Sequence, residues 1–154
     1  MYVFDTNAFS QLVHCYYPSG FPTLWANFQD LLDAGQITST REAARECADG
    51  PEALRDWAGN HAQLFPAPTA REGEFVRKIF ARPRFRHVIE ERKLLKGGKN
   101  ADPFVVARAA ALGATVVTAE KNRPNSARIP NICEHFGIAY TSFEGFMELE
   151  GWRF

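Results

Sequence analysis

Cysteine is scarce in this chain. There are three in 154 residues, Cys15, Cys47 and Cys133, odd in number and far apart. That spacing excludes a disulfide framework and a C-x-x-C metal knuckle, and it suits a reduced cytoplasm. Histidine is equally dispersed, at His14, His61, His87 and His135. No apolar stretch approaches the roughly 20 residues of a membrane span. The N-terminus lacks the basic-then-apolar pattern of a signal peptide. No membrane partner and a cytoplasmic location are therefore expected. Net charge is missing too, with 18 basic and 18 acidic residues. That balance argues against a general nucleic-acid coat protein. There is no internal repeat and no low-complexity segment.

Apolar material is plentiful. Hydrophobic residues make up 45% of the chain and 13 are phenylalanine, which suits a single domain over residues 1–154. Tyr2-Val3-Phe4 reads as a buried strand ended by Asp5, and a helix bearing Phe9, Leu12 and Val13 on one side follows. Leu24, Phe28, Leu31 and Leu32 mark a second helix, stopped by Gly35. Gln36-Ile37-Thr38 is a brief second strand. Ser39-Thr40-Arg41-Glu42 has the form of a capping box that opens the helix carrying Glu46, and Thr69-Ala70-Arg71-Glu72 repeats it. Pro51 suits the first position of a further helix. Asp102-Pro103 opens an apolar helix through Leu112, closed by Gly113. Ala114–Thr118 is a strand ending near Glu120. A helix over Ile132–Phe136, a strand over Ile138–Tyr140 and a helix over Phe143–Leu149 complete the chain. This alternation predicts an α/β fold, a short central parallel sheet flanked by helices on both faces.

In open sheets of this class, ligands bind beyond the carboxyl ends of the strands. Asp5 and Glu120 both follow strands. Asp102 begins the helix leading into the second of them, and Glu46 lies one turn into the helix after strand two. Four acids are thus expected to meet in one crevice, with no histidine or cysteine cluster to share the work. Hard oxygen ligands of this kind suit Mg²⁺ or Mn²⁺, and such ions can activate water against a phosphodiester.

Val3-Phe4-Asp5-Thr6-Asn7, Glu46, the run Asp102-Pro103-Phe104-Val105-Val106-Ala107-Arg108-Ala109 and the run Val116-Val117-Thr118-Ala119-Glu120-Lys121 resemble the successive acidic motifs of PIN domains. Their order and spacing are similar to those of VapC-type toxins and their PIN-like prokaryotic relatives. The resemblance spans Met1 to about Leu149. It implies a metal-dependent endoribonuclease that hydrolyses RNA, the toxin of a type II toxin–antitoxin pair. It further implies a homodimer silenced by an antitoxin protein. Asp5, Glu46 and Asp102 take the first three acidic places as catalytic and metal-binding residues, supported by Thr6 and Asn7. Glu120 takes the fourth, where aspartate is commoner, so its carboxylate reaches one methylene further.

Plainer readings stand beside these. Asp5 and Asp102 both suit helix caps. Glu42 competes with Glu46 for the second place, although a capping box already accounts for it. Glu120 also suits a solvated loop. Between Arg82 and Lys99, seven cations face two acids, Glu90 and Glu91. This run is either a wet helical face or an RNA backbone contact made by Lys96 and Lys99. The competing function is a PIN-like binding or dimerisation module without turnover, favoured by the altered fourth acid. An aspartyl phosphatase fits less well, because no second aspartate lies two residues beyond Asp5.

Overall fold

Tyr2, Val3 and Phe4 point alternately to two sides of a strand, β1 (Tyr2–Phe4), and each side meets its own layer of helices. The computed structural model describes residues 1–95 and 97–154. After β1 come α1 (Thr6–Cys15), α2 (Pro22–Asp33), β2 (Ile37–Thr38), α3 (Arg41–Ala48) and α4 (Glu52–Gly59). A single 3₁₀ turn, Ala62–Leu64, leads to α5 (Ala70–Phe80), α6 (Pro83–Leu95) and α7 (Asp102–Leu112). The chain closes with β3 (Thr115–Val117), α8 (Ile129–Phe136), β4 (Tyr140–Thr141) and α9 (Phe143–Leu149).

The four strands are parallel, in the order β2-β1-β3-β4. On one side of the sheet, Phe4 packs against Phe9 of α1, Phe28 of α2, and Phe143 and Phe146 of α9. Val3 and its partner Val116 face the other way, where α7 lies against β1 and β3. The α/β architecture is the one the PIN resemblance implies. Among the described residues the core has 30 buried hydrophobic side chains, enough to seal both faces of so short a sheet.

The strand order also positions the site. The chain leaves β1 for β2 on one side and later returns to β3 on the other. The switch point therefore falls between β1 and β3, where a crevice opens beyond the strand ends. Register puts Phe4 opposite Val117, so Asp5 and Thr118 emerge level with each other.

Several local expectations change. Thr40 caps α3 rather than Ser39, accepting from Ala43 N at 3.1 Å. Ser39 instead donates to the Phe4 carbonyl at 2.6 Å, because its register places it beside the end of β1. Pro51 is the cap of α4, not its first residue. Helix α8 begins at Ile129, three residues early, and β4 lies at Tyr140–Thr141. The Thr69–Glu72 capping box is present in full, and Gly113 closes α7 at φ 64°.

Candidate metal centre

Asp5 is buried at the end of β1, with its Oδ1 accepting from Thr6 N at 2.7 Å. It does cap α1, as the plainer reading held. Its second oxygen turns toward β3, where Thr118 Oγ1 lies 3.2 Å away. The two oxygens of this carboxylate thus meet different elements, one the start of α1 and the other the end of β3.

Asp102 does not cap α7. Ala101 occupies the cap position, and Asp102 is the first helical residue, 1% exposed. The Asn100 side chain accepts from Asp102 N at 3.2 Å in its place. The Asp102 carboxylate lines the crevice from the start of the helix. There one carboxylate oxygen from each of Asp5, Asp102 and Glu120 lies within 4.8 Å of the other two. Glu46 stands at the rim and accepts from Thr6 Oγ1 at 2.9 Å. All four acids line one cavity of about 320 Å³, together with Asn7 and Ser10. Glu42, the competitor of Glu46, points elsewhere and pairs with Arg41 at 3.0 Å.

Electrostatics follow from this crowding. Burial pushes the Asp5 carboxyl well above the usual carboxylate range, and the charges of Asp102, Glu120 and Glu46 push the same way; the Thr6 amide pulls against them. Cys47, on the helix beside this group, is raised to about 12 by burial and then by Glu46 and Asp5, so it stays a thiol. The donor set is therefore hard oxygen, and it fits a divalent cation of the Mg²⁺ or Mn²⁺ class.

Sequence reasoning missed Arg92. One guanidinium nitrogen lies 2.7 Å from Asp102 and another 2.9 Å from Glu120. Burial works against its charge, but Asp102 and Glu120 more than offset this and lift its pKa. A signal was present: Phe85, Ile89 and Arg92 recur at helical spacing, and the first two are buried. Thr118 was missed as well. Its hydroxyl lies 3.3 Å from Asn7 Oδ1 and accepts from Glu120 N at 3.1 Å. Asn7 also accepts from Ala119 N at 2.8 Å, so it supports the acids by pinning the end of β3. Of the two lysines expected to meet phosphate, Lys99 pairs with Asp49, and Lys96 lies outside the described residues.

The family described as a domain of unknown function, DUF4411, matches residues 2–154. The chain belongs to this family. No curated protein matches it. Among solved structures, the chain is similar to a crystal structure of VapBC2 from Rickettsia felis bound to a DNA fragment from their promoter. The two share 15% identity over 92% of this chain and 97% of that one, with a TM-score of 0.45. What that complex binds is a property of that complex. In this DUF4411 chain, the acids converge through the ends of β1 and β3 and the first turn of α7, and no helix among the described residues is long and apolar enough to cross a membrane.

Proposed function

We propose that this protein is a Mg²⁺- or Mn²⁺-dependent endoribonuclease acting as one domain, the toxin of a type II toxin–antitoxin pair. The observation that carries the reading is the meeting of Asp5, Asp102 and Glu120 at the switch point of the sheet, two of them buried. Asp5 and Asp102 would hold the cation, with Glu120 beside them and Glu46 at the open rim. A bound divalent ion lowers the pKa of water and stabilises charge on a phosphodiester. Thr6 and Thr118 fix the carboxylate rotamers of Glu46 and Asp5, and Glu46 would take up a proton from water entering the cleft. The RNA substrate, the homodimer, the silencing antitoxin and the cytoplasmic location are supported by the sequence resemblance.

End-labelled RNA tests the catalytic part. Cleavage should require Mg²⁺ or Mn²⁺, disappear in EDTA and disappear in Asp5→Asn; full cleavage in excess chelator would sink the metal mechanism. A second reading, a PIN-like binding module without turnover, draws on Arg92, which is already ion-paired with two of the acids. That reading expects RNA retention without any metal-dependent product.

A further inference from the structure

We infer that Arg92 occupies the place a second divalent ion would take, so that the cleft holds one such ion per chain and the guanidinium supplies the remaining positive charge. The inference rests on the metal-dependent reading above.

The geometry is that of a built-in cation. A guanidinium is a planar fork suited to two carboxylates at once. Here it spans Asp102 and Glu120 at 2.7 and 2.9 Å. Its side chain is 21% exposed, so it is turned toward the two acids rather than to the wet face of α6. Phe85 and Ile89 anchor the same helical stripe in the core, and the next position of that stripe is Arg92.

Glu120 supports the assignment independently. Its Oε1 accepts from Arg92, and its Oε2 accepts from Ile129 N at 2.9 Å, in the first turn of α8. Both oxygens are thus engaged by the chain. Glutamate's extra methylene lets one carboxylate reach the Arg92 fork and the start of α8 together. An ion held jointly by Asp102 and Glu120 would have to displace the guanidinium.

Counting bound Mn²⁺ tests this without any activity assay. Calorimetric titration and the EPR signal of free Mn²⁺ would be read on the intact wild type, Arg92→Lys and Arg92→Gln. The expected result is one ion per chain in the wild type and in Arg92→Lys, and a second ion in Arg92→Gln. Two ions in the wild type, or only one in Arg92→Gln, would overturn the inference and leave the metal-dependent reading standing. If Arg92→Gln does not fold, the wild-type count decides alone: one ion supports the inference and two overturn it. No Mn²⁺ on any of the three would overturn the metal-dependent reading itself, and the inference with it.

Discussion

At Asp5, burial and three neighbouring acids all oppose ionisation. A carboxyl whose folded pKa is raised binds its proton more tightly in the native state than in the unfolded chain. Its favourable contribution is therefore complete below about 3.9, the unfolded value, and is lost as pH rises through the raised folded value. Asp5→Asn removes the charge but keeps the cap on α1, because asparagine caps about as well as aspartate. The metal-free variant should be more stable than the wild type by about 1 kcal/mol near neutral pH, or about 3 °C in Tm. That advantage should shrink as pH falls and Asp5 takes up its proton. Thermal melts from pH 4 to 8 in EDTA check this, and a constant gap across the range would show that Asp5 is not strained by charge. In Mn²⁺ the order should reverse, since only the wild type gains from the ion.

Elements are tied together away from the cleft by a second polar group. Arg108 of α7 donates to Thr38 of β2 at 2.9 and 3.0 Å and reaches Glu72 of α5 at 3.3 Å. Glu72 also completes the capping box with Thr69. Burial alone would raise the Glu72 pKa, but the Thr69 hydrogen bonds and the Arg108 charge outweigh it and bring it below the ordinary value. Stability from this depressed pKa is present above the unfolded value of about 4.3 and is lost as pH falls through the folded one. Glu72→Ala removes the cap and strands a largely buried guanidinium, so it should cost about 3 kcal/mol at pH 7. The loss should narrow toward pH 3. Urea midpoints at the two pH values measure it, and equal losses at both would detach the Glu72 charge from the stability of the fold.

For the molecule as a whole, zero net charge conceals local groups of cations. Arg45 and Lys93 line a cavity of about 310 Å³ between α3, α6 and α7. Asn100 and Pro103 line it too, on either side in sequence of Asp102, which lines the acidic cleft. Both cations are exposed. RNA lying across the cleft would bring its backbone to them. Replacing Arg45 and Lys93 by alanine should weaken RNA binding similarly for all sequences and flatten its salt dependence by about one log–log unit per lost contact. Fluorescence anisotropy between 50 and 200 mM salt reads this directly. An unchanged slope would return both residues to ordinary solvated surface.

The sequence by itself determined the alternation of elements, the parallel sheet and the four acids at its carboxyl edge. Each rests on local chemistry: Tyr2-Val3-Phe4 and Thr115-Val116-Val117 suit strands, and Gly35 and Gly113 end helices. Asp102 was legible as the start of α7 but not as its first helical residue, because Ala101 takes the cap position and Asn100 accepts from the Asp102 amide only in the folded loop. Which cations face solvent was decided by tertiary structure alone. Arg84, Arg86 and Lys93 remain exposed while Arg92 turns inward, since packing Phe85 and Ile89 sets the rotation of α6 about its axis. Glu120 was settled in the same way. Its two oxygens find Arg92 and Ile129 N, groups 28 and 9 residues away in sequence, and no spacing rule brings either of them to it.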